Sequence, residues 1–150
     1  MIKRNLLLIT CLFMLFFTTA SAADTQSNWQ TAYKDNDATV YFDTNTVKTI
    51  GSPDILSVDL KTDLSQTMLQ EIMTKYKASY DTANWNKIKY SVIYTVYNQK
   101  DKTLLSKNYR FFDGDNNLIA TINDENKSVV SANSIQSKTY AAIFEWLYEN

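Results

Sequence analysis

Alternation of apolar and polar residues along three segments constrains the fold more than any other feature of this chain. In the first segment Leu56, Val58 and Leu60 point to one side of an extended chain. Ser57, Asp59 and Lys61 point to the other side. Short polar turns separate the alternating segments, which favours antiparallel pairing. The alternating segments are residues 55–62, 88–96 and 103–112, and shorter strands are predicted at 38–43, 118–122 and 129–130.

Two further segments have the three-to-four spacing of an amphipathic helix. Asp63 or Ser65 can cap the first helix, and Asn133 or Ser134 can cap the second. Each helix must bury its apolar side against the sheet, so the pattern predicts a single α+β domain with a largely antiparallel sheet and a C-terminal helix. The apolar positions are Met68, Leu69, Ile72, Met73 and Tyr76 within residues 65–80, and Tyr140, Ile143, Phe144 and Leu147 within residues 134–148.

The first 23 residues have the three parts of a secretory signal peptide. A basic start at Lys3 and Arg4 precedes an apolar run over residues 6–17, and small residues at 20–22 follow it. The run is too short for a typical membrane span, which needs about 20 residues. We therefore expect cleavage after residue 22 or 23, no stable membrane anchor afterwards, and a mature domain of residues 24–150 in the periplasm, at the cell surface or secreted.

Composition excludes several kinds of chemistry. The chain has no histidine, so imidazole-based nucleophile systems are excluded. Its only cysteine, Cys11, falls within the signal peptide, so the mature domain has no thiol with which to form a disulfide or bind a metal. We expect no cofactor and no metal.

The two long strands are predicted to form a hairpin around the polar turn at residues 98–101. A two-residue loop at 99–100 places Val92 opposite Lys107 and Lys89 opposite Arg110, and a four-residue loop is expected to keep this register. The face with Tyr90, Val92 and Tyr94 is then the predicted core side. Like charges directly opposed are unfavourable, so Lys89 and Arg110 require an acidic neighbour or an anionic ligand.

Positive charge is concentrated around this hairpin. Residues 75–110 hold eight basic and two acidic residues, a net charge of +6, interleaved with tyrosine and tryptophan. Basic residues between aromatic residues are typical of surfaces that bind anionic ligands, and the alternative is a set of solvated strand faces paired with acids elsewhere. Because the protein is expected to be exported, no nucleic-acid partner is predicted. The candidate binding residues are Lys87, Lys89, Arg110 and Tyr97.

No motif in the chain specifies a catalytic centre. Asp113, Asp115 and Asn117 resemble the opening of a calcium loop, but Leu118 and Asp124 stand where an EF-hand requires glycine and glutamate. This segment is therefore interpreted as a hairpin turn.

The order of features resembles the surface-adhesin protein E family of small exported bacterial domains. The segment Val40-Tyr41-Phe42-Asp43-Thr44-Asn45-Thr46-Val47 is its most specific part, and a Gly-Asp-Asn turn and a helix after Ala132-Asn133-Ser134 follow in the same order. The resemblance implies an antiparallel sheet backed by a helix and, for the family's namesake, adhesion to host matrix proteins. Cysteines common in the later strand and near the C-terminus of family members are absent here.

The sequence therefore predicts a non-enzymatic binding domain of the bacterial envelope that recognises a protein or a polyanionic surface. Two alternatives remain open at this stage. One is a periplasmic carboxylate-dependent hydrolase, which requires two converging acids in a deep pocket. The other is an envelope protein that forms homo-oligomers through an exposed sheet edge.

Overall fold

A computed structural model describes residues 28–150, in which seven strands and two helices follow one another. The signal peptide predicted at residues 1–23 lies outside the described residues. A short 3-10 turn, Trp85–Lys87, precedes the fifth strand. The strands are β1 (Trp29–Lys34), β2 (Thr39–Asp43), β3 (Lys48–Ile50), β4 (Ser52–Asp63), β5 (Tyr90–Asn98), β6 (Thr103–Phe112) and β7 (Leu118–Val129); the helices are α1 (Gln66–Tyr76) and α2 (Ile135–Glu149).

The strands form one antiparallel sheet in the order β1-β2-β4-β5-β6-β7. β3 pairs with β4 beyond the end of β2, so the two short strands lie in tandem along one side of the long β4. The observed α+β architecture, with a C-terminal helix, confirms the predicted fold class.

Both helices pack on the same face of the sheet, which we call the covered face. α2 buries Tyr140, Ile143 and Phe144 against residues from β2, β4, β5 and β6. α1 and the 3-10 turn bury Leu69 and Trp85 against Phe111, near the end of β6, and Ile122, in the first half of β7. The helical spacing therefore correctly predicted the side of each helix that packs against the sheet. Fully removing one such side chain from water stabilises the fold by about 1.5–3 kcal/mol.

A buried hydrogen-bond chain ties α2 to the centre of the sheet. Tyr140 donates its hydroxyl hydrogen to Oγ1 of Thr95 at 2.9 Å, and Thr95 donates to the carbonyl oxygen of Val58 at 3.1 Å. The ring of Tyr140 also stacks on Tyr97, with centroids 4.2 Å apart. The chain satisfies two buried hydroxyl groups that would otherwise be costly to remove from water.

Each helix is capped by one of its two predicted residues, Ser65 for α1 and Ser134 for α2. Ser65 accepts from the backbone N–H of Met68, and Ser134 accepts from that of Ser137. α1 ends at Tyr76, four residues before the predicted end. The chain then turns back, with the N–H groups of Ser79 and Tyr80 bonded to the carbonyl oxygen of Tyr76.

The prediction that Tyr90, Val92 and Tyr94 form the core side of β5 is wrong. The opposite set, which includes Thr95 and Tyr97, faces the helices. β5 is apolar on both faces, so alternation alone did not distinguish them. The two predicted strands at 118–122 and 129–130 are one continuous strand, β7.

The predicted hairpin register is also wrong. Asn98 pairs with Thr103, which leaves a four-residue loop whose last residue, Lys102, has a φ of 49°. A bulge at Asn108, with a φ of 56°, then shifts the register again. As a result Arg110 lies opposite Val92, and Lys89 lies outside β5 altogether.

Candidate functional site

The face of the sheet opposite the helices, which we call the open face, carries an unusual mixture of aromatic and charged side chains. Pairing aligns them in rows across the strands. One row places Lys61 and Arg110 on either side of Val92. The central rows are Asp63-Tyr90-Phe112, Tyr41-Lys61-Val92-Arg110 and Asp59-Tyr94-Lys107-Glu125.

A shallow depression of about 620 Å³ occupies part of this face. It combines both signs of charge with aromatic rings and two amide side chains. We call it the depression. Its lining residues are Asn28, Trp29, Asp43, Asp59, Lys61, Tyr90, Val92, Arg110, Phe112 and Asn116.

Aromatic rings surround the ammonium group of Lys61. Its Nζ lies 4.9 Å from the ring centroids of Tyr41 and Tyr90 and 5.9 Å from that of Trp29. Among the described residues no carboxylate lies within 4.0 Å of this nitrogen. The rings attract the cation through their negative faces without accepting its N–H groups in ordinary hydrogen bonds. Lys61 therefore presents a positioned charge whose donors remain available.

The tyrosine rings beside Lys61 are themselves held in place. Tyr41 donates to Asp63 at 3.1 Å, and Tyr90 donates to Oδ1 of Asn116 at 2.8 Å. Tyr90 also stacks on Phe112, with centroids 5.1 Å apart. Burial raises the pKa of both tyrosines, and a nearby carboxylate raises it further. Both phenols therefore stay protonated and act as donors at neutral pH.

Arg110 is the second cation of the depression. Its Nη2 lies 2.7 Å from Oδ2 of Asp59, and the two side chains keep 39% and 19% of their exposure. The Nε atom of Arg110 is buried and has no hydrogen-bond partner among the described residues. A buried donor without an acceptor is unfavourable.

The structure does not bring the four predicted binding residues into one patch. Arg110 lines the depression, whereas Tyr97 is only 8% exposed and packs under α2 on the covered face. Lys87 and Lys89 are exposed beside the turn at residues 113–117. The Cγ atom of Lys89 lies 3.8 Å from the position that a Cβ on Gly114 would take. The two lysines therefore lie beside the turn that also carries Asn116, but neither of them lines the depression.

The wider basic segment is likewise divided by the fold. Lys75 lies on α1, and Lys100 and Lys102 lie in the β5–β6 loop. Lys107 lies on the open face, where its Nζ is 5.5 Å from the ring of Tyr94. The net charge of +6 along the sequence is therefore not a single positive surface.

Sequence reasoning missed Trp29, Tyr41 and Lys61 as site residues. Lys61 was placed correctly on the polar side of β4, but it lies outside the basic segment that defined the predicted patch. Trp29 approaches Lys61 only because β1 pairs with β2 and β2 pairs with β4. The sequence signal that could have identified Lys61 is the polar side of β4, where serine, aspartate and lysine occupy every second position.

The segment interpreted as a hairpin turn joins β6 to β7 and is organised by Asp113. Its Oδ1 accepts the backbone N–H groups of Asp115 and Asn117, each at 2.9 Å. The side-chain amide of Asn117 also donates to this carboxylate; that bond and the two backbone bonds lower the pKa of Asp113. Within residues 28–150 there is no cluster of three or more histidine, cysteine, aspartate or glutamate residues suited to a metal.

A second cavity, of about 220 Å³, lies on the covered face between the two helices. Its lining is mainly apolar, with Met68 on one side and Ile135 on the other, and it contains no charged side chain. Thr139 lies in its wall and has a buried hydroxyl group with no partner among the described residues. We interpret this cavity as a gap between elements of the core.

The acids of the depression do not form the arrangement that the hydrolase alternative requires. Asp59 is paired with Arg110, and Asp43 accepts the backbone N–H of Asn45 at 2.9 Å. A general acid is favoured by a desolvated, unpaired carboxyl group, and Asp59 is instead held next to a cation.

Three structures of protein E from Haemophilus influenzae share this fold. Crystal form II has a TM-score of 0.55 at 15% sequence identity, covering 85% of this chain and 94% of that one. Another structure has a TM-score of 0.55 at 14% identity, covering 83% and 88%. The selenomethionine form has a TM-score of 0.53 at 14% identity, covering 81% and 87%. The resemblance inferred from the sequence is confirmed at the level of the fold.

Two further comparisons found no match. No protein-family model matches the chain, and no curated protein matches it by sequence. Between residues 28 and 150 no helix has the length and apolar character required to cross a membrane.

Proposed function

We propose that the protein is an exported, non-enzymatic binding domain of the bacterial envelope that acts in the manner of an adhesin. The open face is its binding surface, and its ligand carries negative charge. The proposal includes removal of residues 1–23 as a signal peptide and a mature domain of residues 24–150. The observation that carries it is the pair of cations, Lys61 and Arg110, which line one depression on a face that no described helix covers.

Two further observations support an anionic ligand. Lys61 has no carboxylate partner among the described residues, so its charge is available to a ligand. Lys87 and Lys89 add two exposed positive charges beside the turn that carries Asn116. Charges arranged in this way raise the rate at which an acidic partner associates, and salt weakens their effect. The fold shared with protein E and the resemblance to the surface-adhesin protein E family support adhesion rather than catalysis.

The test measures binding of the exported protein to an immobilised layer of decellularised epithelial matrix. The variants are Lys61→Glu and Arg110→Glu in the depression, Lys89→Glu beside the turn at residues 113–117, and Lys107→Glu as the control. Lys107 lies on the same face and also contacts a tyrosine ring, but it does not line the depression. Circular dichroism establishes that each variant is folded.

We expect each substitution in the depression to weaken binding about tenfold or more, because it replaces an attraction with a repulsion. Lys89→Glu has a smaller effect, and Lys107→Glu changes binding less than about twofold, as expected for a charge outside the contact. Raising the salt concentration weakens wild-type binding. Wild-type affinity in both Lys61→Glu and Arg110→Glu, with both variants folded, contradicts the proposal.

A further inference from the structure

We propose that the chemical group bound in the depression is an acidic sugar residue, such as a uronic or sialic acid at the end of a glycan. This inference rests on the proposed function, since it names the ligand class of the same site. It follows from the combination of charges, rings and amides that line the depression, none of which is sufficient alone.

The charges of the depression are balanced, which disfavours a simple polyanion. It holds two cations, Lys61 and Arg110, and two carboxylates, Asp43 and Asp59. A phosphate chain or a strongly acidic protein patch would be attracted by the two cations but repelled by the two carboxylates, so close contact with it would be opposed. A ligand with one negative charge and several hydroxyl groups can use both kinds of residue, because hydroxyl groups donate to carboxylates.

The row that contains both cations can bind the negative group of the ligand. Lys61 and Arg110 are both paired with Val92, one from each side, so their Cα atoms are separated by two strand spacings, about 10 Å. Lys61 offers unused ammonium donors. Arg110 belongs to this row, and Nη2 is the only one of its nitrogens with a partner among the described residues, namely Asp59. A carboxylate bound over Val92 can be reached by these two long side chains.

The carboxylate and amide groups around this row can form hydrogen bonds with the hydroxyl groups of a sugar. Asp43 uses Oδ1 to accept from Asn45, and no described residue donates to its Oδ2. Asn116 uses Oδ1 to accept from Tyr90, which leaves its Nδ2 hydrogens available. Asn28 adds a second amide at the opposite side of the lining. These groups provide both acceptors and donors to hydroxyl groups.

The remaining surface of a sugar, the face of its ring that carries C–H groups, requires an apolar partner. Trp29 and Phe112 line the depression and supply aromatic faces and edges. The volume of about 620 Å³ falls in the ordinary range of small-ligand sites, about 300–1,000 Å³. A neutral sugar would leave the free charge of Lys61 unused, so the acidic sugar fits the depression best.

The experiment measures the affinities of small defined probes for the exported protein by titration calorimetry or NMR. The probes are methyl glucuronoside and methyl sialoside, neutral methyl glucoside, and inorganic phosphate and acetate as anions without a sugar ring. The variants are Lys61→Met and Asp43→Asn, with Lys107→Met as the matched control on the same face.

We expect at least one acidic sugar to bind about tenfold or more tightly than methyl glucoside, phosphate or acetate, because only it uses every group of the depression. Lys61→Met and Asp43→Asn both weaken this binding, and Lys107→Met leaves it unchanged. Lys61→Gln repeats the test if Lys61→Met does not fold.

Three results overturn the inference. They are equal binding of the neutral and acidic sugars, equal binding of phosphate and the acidic sugars, and no binding of either acidic sugar. If matrix binding still depends on Lys61 and Arg110 in any of these cases, the proposed function stands and only the ligand class is wrong. If matrix binding is also indifferent to both residues, the proposed function fails as well.

Discussion

The two faces of one sheet use the same residue types for different purposes. On the covered face, aromatic rings pack against one another and against the helices, and the ring centroids of Tyr97 and Tyr140 are 4.2 Å apart. On the open face, aromatic rings surround a cation, with Tyr41 and Tyr90 each 4.9 Å from Nζ of Lys61. The comparison teaches that a tyrosine-rich strand does not reveal its function until its two faces are assigned. β5 contributes tyrosines to both.

The largest difference in stability between the two faces is expected when two tyrosines of β5, one on each face, are replaced by alanine. Tyr97→Ala removes a ring that is 8% exposed and stacked on α2, and should lower the free energy of unfolding by about 3–5 kcal/mol. Tyr94→Ala, on the open face, should cost about 1 kcal/mol. Urea unfolding of both variants measures the difference. Equal losses would show that the assignment of the two faces is wrong.

Alkaline pH should weaken the covered face through Tyr140. Burial raises the pKa of this phenol well above its ordinary value of about 10, so the unfolded chain loses the proton first as pH rises. The stabilisation is complete below about pH 10 and is lost as pH rises towards the folded-state pKa, by at most about 1.4 kcal/mol per pH unit for one proton.

Urea unfolding between pH 8 and pH 11 measures this loss, with Tyr140→Phe as the comparison. The variant should show a smaller decrease with pH. Some dependence should remain, because burial also raises the pKa of Tyr97. Identical pH profiles in the two proteins would contradict the buried, neutral state assigned to Tyr140.

The smallest effect on stability is expected from the ion pair of the open face. Asp59→Asn removes the carboxylate next to Arg110, and should change the free energy of unfolding by less than about 1 kcal/mol because both side chains retain solvent exposure. The same substitution should alter ligand binding, since it releases Arg110. A loss above about 2 kcal/mol in thermal or urea unfolding would show that the pair belongs to the core and not to a binding surface.

Much of the fold could be predicted because periodicity is a local property. The alternation of Leu56, Val58 and Leu60 identified the inner side of β4, and the helical spacing identified the buried side of α2. Ser65 and Ser134 were each among the predicted caps. The boundaries were less accurate, as α1 is shorter and β7 longer than predicted.

The candidate site could be predicted only in part, because it depends on register and on pairing between distant strands. The predicted opposition of Lys89 and Arg110 failed because two residues with positive φ, Lys102 and Asn108, change the alignment of β5 and β6. Tyr97 was assigned to the wrong face for a related reason. Thr95 is polar but buried, since Tyr140 and Val58 satisfy its hydroxyl group.

The sequence by itself determined the α+β class and the inner sides of β4 and α2, and it reduced each helix cap to two candidates, because each of these depends on residue types within a few positions of one another. The absence of histidine chemistry follows from composition alone. Only the tertiary structure decided which face of β5 the helices cover and which residues meet at Lys61. Trp29 and Tyr41 come from the consecutive strands β1 and β2, whereas Tyr90 comes from β5, which follows α1 in the chain. Their meeting depends on strand order, on a bulge and on a loop length, all of which are settled by the packing of the whole sheet.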